Sequence, residues 1–155
     1  MTSSTTGLRR GFSALGHRNF RLFWFGQLIS LVGTWMQTVA QSWLVLELTG
    51  DPVALGITAA VQFLPVLLFG LFGGLIADAL PKRRTLYVTQ GGSAVLALIL
   101  GVLVATDSVQ VWMVWVLAAA LGVLNAVDMP VRQSFVVEMV GRDDVANAVA
   151  LNSAV

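Results

Sequence analysis

Four stretches of this chain, from about 20 to 48, 53 to 79, 86 to 106 and 109 to 127, run almost without an ionisable side chain. A segment of about 20 apolar residues is long enough to cross the hydrocarbon core of a bilayer as a helix. Lipid offers no partner to backbone N–H and C=O groups, so such a segment is expected to satisfy its own bonds as an α-helix. The strands of a membrane barrel would alternate in polarity with period two, and these runs do not. Composition agrees, with 57% hydrophobic and 11% charged residues, where a soluble domain carries about a quarter charged. The fold class expected is all-α and integral to the membrane.

Charge and composition also narrow the function classes. The formal net charge is +1, which gives no reason to expect a nucleic-acid partner. There is no cysteine, and His17 is the single histidine. Disulfides, thiolate chemistry and a histidine-based metal centre are therefore not expected. Paired carboxylates are missing from the apolar runs, and the glycines of "GLFGG" lie inside a span rather than in a loop that could cradle phosphate. No enzyme and no cofactor is implied; the expected partners are the lipid bilayer and a small-molecule substrate.

The bases indicate how the chain threads. Arg9, Arg10, Arg18 and Arg21 precede or begin the first span, Lys82, Arg83 and Arg84 lie between the second and third, and Arg132 and Arg142 follow the fourth. The other two links, "ELTGDP" and "TDSVQ", hold acids and no base. Basic links face the cytoplasm, so residues 1–19 are expected to be a cytoplasmic N-terminal segment of a multi-pass protein of the cell membrane. The first apolar run is longer than the 7–15 residues of a signal peptide, so it reads as an uncleaved span. Trp112 and Trp115 suit an interfacial aromatic belt. After Arg142, Asp143 is placed to cap a fifth helix starting at about 144, which breaks off at Val155 after roughly half a span. The chain reads as the first part of a longer membrane protein.

Within the first span, Gln27, Ser30, Thr34, Gln37, Thr38 and Gln41 fall within an arc of about 100° at helical spacing, and Ser42 lies just beside it. Amides and hydroxyls on one stripe are costly against lipid. They could bond neighbouring helices or line a polar cavity, and the repeated glutamines favour the cavity. The second span adds Thr58 and Gln62 one turn apart, then Pro65, then Gly70 and Gly74, a spacing that lets another backbone approach. The carboxylates Glu47, Asp51, Asp78, Asp107 and Asp128 all lie at or near span ends, so any proton coupling is expected to use residues outside this chain.

The link "GGLIADALPKRR" carries Gly74, Asp78, Lys82 and Arg83 in the order G-x-x-x-D-x-x-x-K-R. Positive-inside topology explains the bases but not Asp78 or Gly74. These four positions resemble the signature between the second and third helices of the major facilitator superfamily. Ala79 stands where that signature has a base and Pro81 where it has a glycine. A second stretch, "NAVDMPVRQSFVVEMVGRDDVANAVALNS" from Asn125 to Ser153, is similar to the link between helices four and five in the drug- and siderophore-exporter-like branch. The opening "FSALGHRNFRLFWFGQLIS" is similar to their first helix.

The resemblance implies four transmembrane helices and the start of a fifth, within the N-terminal six-helix half of a twelve-helix transporter. It implies a secondary transporter working by alternating access, and an exporter of a small organic molecule. It further implies that Asp78 meets a helix N-terminus of the other half, and that Lys82 or Arg83 pairs with an acid on helix four, for which Asp128 is the candidate, with Arg132 beside it. The alternative is a non-transporting membrane subunit or an inactive truncated fragment.

Overall fold

The computed structural model describes residues 16–70, 72–140 and 145–153. The readings placed on Arg9, Arg10, Arg142 and Asp143 lie outside the described residues. The described residues form six helices: α1 (Arg18–Thr49), α2 (Pro52–Gly70), α3 (Gly73–Ala79), α4 (Lys82–Ala105), α5 (Val111–Met139) and α6 (Val145–Ser153). The fold is all-α and built for a membrane. Helices α2, α4 and α5 are long and apolar enough to cross one. α1, at 32 residues, has the length, but its polar stripe dilutes its apolar character. Large apolar side chains face outward, Leu67 at 73% and Leu98 at 66% exposure, which suits hydrocarbon as the surrounding solvent.

The turns follow from local chemistry. Gly50 takes a left-handed φ of 63° and its N–H returns to the Leu46 carbonyl at 2.8 Å, an αL cap that closes α1. Asp51 then accepts the Val53 N–H on its carboxylate at 2.9 Å. Pro52, whose missing N–H would be unbonded anyway, is the first helical residue of α2. At the end of α4, Asp107 is left-handed (φ 51°), its N–H meets the Val104 carbonyl at 3.1 Å, and the Ser108 N–H meets that of Leu103 at 3.0 Å. That pair of bonds is a Schellman closure, with aspartate in the place glycine usually takes. Pro81 sets the α3–α4 turn: Leu80 before it is extended, with φ −105° and ψ 144°, as proline requires of its predecessor.

Two boundaries differ from the sequence reading. The run expected as one span over 53–79 is broken after Gly70, and the chain restarts as the short α3. Gly70, Gly73 and Gly74 give this region low helical propensity, and the restart sets Gly73 against Pro130. A Cβ at Gly73 would lie 3.1 Å from Pro130 Cβ, so only glycine fits there comfortably. The fourth span, expected to end near 127, continues as α5 to Met139 straight through Pro130, which carries Asp128 and Arg132 on a helix instead of in a link. The close approach expected at Gly70 lies elsewhere: a Cβ at Gly70 would meet open space, whereas one at Gly122 would overlap the backbone carbonyl oxygen of Gln62.

The described residues gather into two compact units, one of residues 16–34 with 132–140 and 145–153, and one of residues 35–70 with 72–131. In the first, Phe20, Val136, Val140 and Ala148 form the core. Trp24 donates its indole N–H to the Leu151 carbonyl at 3.1 Å, and Phe23 meets Phe135 edge-to-face at 5.7 Å. In the second, Val45, Ala54, Leu100 and Val114 form a core drawn from α1, α2, α4 and α5.

Candidate functional site

Two polar clusters lie within the residue 35–131 unit. The first is a cavity of about 60 Å³ between α1 and α2. Its polar wall is Thr38, Gln41, Ser42, Thr58 and Gln62, and Leu55, Ala59 and Phe63 complete it. Helical spacing explains the set. Thr38, Gln41 and Ser42 lie three and four residues apart on α1, and Thr58 and Gln62 lie four apart on α2, so each group occupies one face. Gln41 is buried at 3% exposure, and Thr58 is also buried. The Thr58 hydroxyl donates to the Ala54 carbonyl at 2.7 Å and accepts the Trp115 indole N–H at 3.1 Å. The Ser42 hydroxyl donates to the Thr38 carbonyl at 2.8 Å. Among the described residues, no ionisable side chain lines this cavity.

Of the stripe expected on the first span, the structure brings Thr38 and Gln41 to the cavity together with Gln62. Gln37 is half-buried and does not line it. Gln27, Ser30 and Thr34 belong to the other unit, where Gln27 is buried, Ser30 half-buried and Thr34 exposed. The Thr34 hydroxyl turns back to the Ser30 carbonyl at 2.9 Å. Trp115, read as part of an aromatic belt, is instead half-buried against Thr58, whereas Trp112 is exposed and donates to the Gln110 side-chain oxygen at 2.7 Å.

The second cluster surrounds Asp128. The sequence placed this acid at a span end; in the fold it is 2% exposed, about 26 Å along α5 from Val111 at the usual helical rise. Its Oδ1 accepts the Thr89 hydroxyl at 2.5 Å and the Gln90 amide at 3.3 Å, both from α4. A carboxylate removed from solvent needs such donors, because an unpaired buried charge is strongly destabilising. Thr89 and Gln90 were missed in the sequence; their signal was a Thr-Gln pair beyond the basic first turn of α4, ahead of its apolar stretch.

The remaining motif residues lie around the Pro81 turn. Gly74 and Asp78 are on α3, and Asp78 is exposed. Lys82 begins α4 half-buried, while Arg83 is exposed. Arg83 donates from Nη2 to the Tyr87 hydroxyl at 3.4 Å and holds its guanidinium 5.7 Å from that ring's centre, a cation–π pairing one helical turn apart. Arg132 is half-buried on α5 in the unit that contains α6.

A family profile described as transmembrane secretion effector matches residues 9–155. The chain is 28% identical over 134 residues to the Staphyloferrin A transporter of Staphylococcus aureus (strain NCTC 8325 / PS 47), covering 86% of this chain and 34% of that protein. It is 33% identical over 128 residues to the Multidrug efflux pump Tap of Mycolicibacterium fortuitum, covering 78% of this chain and 30% of that protein. The chain thus spans about a third of the length of the curated relatives it matches. No solved structure matches it. Apolar helices of spanning length and a match over nearly the whole sequence lead to one conclusion: the chain belongs to the transmembrane secretion effector family of the major facilitator superfamily.

Proposed function

We propose that this chain forms part of the N-terminal half of an alternating-access secondary transporter that moves a small organic molecule outward across the cell membrane. The observation that carries this reading is the uncharged polar cavity of Thr38, Gln41, Ser42, Thr58 and Gln62, set between helices with apolar outer faces. Polar groups held inside a membrane bundle are costly there and mark a pathway for polar cargo. Both similar proteins are transporters by name, and one is an efflux pump, which supports transport over the non-transporting subunit or truncated fragment. The distribution of Lys and Arg supports a cytoplasmic N-terminus, with residues 20–155 within an N-terminal transmembrane domain.

Gly74, Asp78, Lys82, Arg83, Asp128 and Arg132 are the residues we assign to the conformational change. Asp78 is exposed on α3, which leaves its carboxylate accessible to a helix N-terminus elsewhere in the protein, where negative charge is favoured. Proton coupling through residues outside this chain remains part of the reading.

The test is efflux of a fluorescent dye from cells and from proteoliposomes holding the protein in its natural length. Asp78→Asn is expected to lower the transport rate about tenfold, equivalent to about 1.4 kcal/mol, with membrane insertion unchanged. Unchanged transport kinetics would remove Asp78 from the mechanism. A wild-type protein that moves no dye or siderophore-like probe would favour the non-transporting reading.

A further inference from the structure

One exposed face of α4 changes character within a single turn. Arg84, Tyr87, Val88, Gly91, Val95 and Leu98 are all exposed, and at helical spacing they fall within an arc of about 100°. The face opens with a base, passes through an aromatic ring with a polar tip, and continues as hydrocarbon. Arg83, also exposed, stands at its edge. From Tyr87 to Leu98 the helix rises about 16 Å, close to one leaflet of a hydrocarbon core about 30 Å thick. A Cβ at Gly91 would meet open space, so the glycine leaves a shallow dip between Tyr87 and Val95.

The polar end suits an anion. α4 contains no Asp or Glu, and its three bases, Lys82, Arg83 and Arg84, all fall in its first turn. The positive pole of the helix lies there too, so the charges are disfavoured by the helix as well as by one another. Arg83 is oriented by Tyr87: its Nη2 donates to the hydroxyl at 3.4 Å, and its guanidinium stands 5.7 Å from the ring centre. That bond uses one of five guanidinium N–H donors, and the tyrosine oxygen, having accepted, keeps its own proton to give. Planar guanidinium donors match the oxygens of a phosphate. A protein segment laid on this face would have to supply carboxylates beside an apolar strip. A phospholipid carries a phosphate and hydrocarbon in the order the face presents.

We propose that this face of α4 binds one anionic phospholipid, its phosphate held by Arg83, Arg84 and Tyr87 and one acyl chain lying over Gly91 toward Leu98. A zwitterionic lipid fits less well, because its own cation offsets the phosphate among three bases. The inference needs α4 to span the membrane and does not depend on transport. With the threading proposed above, the lipid belongs to the inner leaflet.

The protein in its natural length is purified in detergent and titrated with palmitoyl-oleoyl phosphatidylglycerol, the matching phosphatidylcholine, or glycerol phosphate, and bound molecules are counted by native mass spectrometry. The first phosphatidylglycerol is expected to bind about twentyfold more tightly than phosphatidylcholine, from two bases at about fivefold each. Arg84→Gln should cut that preference about fivefold and leave phosphatidylcholine binding unchanged. Phosphatidylglycerol with a photoreactive diazirine in its acyl chain should label residues 91–99. Gly91→Leu, which fills the dip, should abolish that label, and it keeps the test decisive should Arg84→Gln not fold. Equal affinity for the two lipids, or a preference untouched by Arg84→Gln, would overturn the proposal. So would a label that survives Gly91→Leu or falls on other helices, since another part of the protein would then cover this face. Glycerol phosphate binding as tightly as the whole lipid would mean a site for a phosphate ion and would defeat the lipid as its occupant.

Discussion

At one end of the residue 35–131 unit, near Gly50 and Asp107, four helices meet through Val45, Ala54, Leu100 and Val114, and both turns close with their backbone bonds satisfied. At the other end, near Pro81, a helix is broken after Gly70, Pro130 sits inside α5, and the helices are joined by the buried Asp128 with its donors Thr89 and Gln90. The first end is held by volume and by cap geometry. Its contacts are individually small and many, so losing one leaves the others in place. The second end adds a buried carboxylate that takes donors from Thr89 and Gln90 at once. The alternating access proposed above calls for a firm end and a switchable one, and discrete polar contacts suit switching because they are either made or lost.

Between the ends lies Gly122, and the largest expected effect is there. A Cβ at this position would overlap the Gln62 backbone carbonyl oxygen and stand 3.1 Å from Pro65 Cγ. A backbone carbonyl cannot rotate away, so Gly122→Ala should force α2 and α5 apart and cost about 3 kcal/mol, the upper part of the range for overpacking. Loss of folded, monodisperse protein on heating in detergent measures it. Gly92→Ala, whose Cβ would meet the Leu124 side chain with its nearest methyl at 3.0 Å, should cost under about 1 kcal/mol because that side chain can turn. Gly70→Ala, opening onto free space, should be neutral or mildly stabilising. Equal losses at all three positions would mean that no pinch separates the two ends.

Next comes Asp128. Asp128→Asn keeps the shape but weakens the bonds from Thr89 and Gln90 to those of a neutral acceptor, at an expected cost of about 1–2 kcal/mol. Thr89 retains a second acceptor, the Leu86 carbonyl at 3.2 Å, which limits the damage. Hydrogen exchange should speed up over residues 82–92 and stay unchanged over residues 98–115. Acceleration at both ends would show one cooperative unit in place of two distinct ones.

Much of the fold was legible because it depends on local chemistry. Length and apolarity located the helices, and "TGDP" and "TDS" marked the turns through Gly50, Asp51, Pro52 and Asp107. What was not legible depends on neighbours far away in sequence. The break after Gly70 needs Gly73 to meet Pro130, and the close approach at Gly122 needs Gln62 across the bundle. Hydropathy placed Asp128 near a boundary, but its burial depends on donors from α4 at a separation of 38 and 39 residues. The candidate cavity was half legible: periodicity aligned Thr38 and Gln41 on α1, yet it could not tell that Gln37 stays outside or that Trp115 reaches Thr58.

The smallest expected effect tests the firm end. Trp115→Phe removes the indole N–H that Thr58 accepts at 3.1 Å, while the Thr58 hydroxyl keeps its own bond to the Ala54 carbonyl at 2.7 Å. Only a lone pair is left unmatched, and side-chain hydrogen bonds between membrane helices average about 0.6 kcal/mol. The loss of indole volume also contributes, so the bond is isolated by a double-mutant cycle of Trp115→Phe with Thr58→Val, read as coupling in detergent stability. A coupling of about 0.6 kcal/mol fits an end held chiefly by Val45, Ala54, Leu100 and Val114. A coupling near 2 kcal/mol would make this end as dependent on one polar contact as the Asp128 end, and the contrast between a firm end and a switchable one would fail.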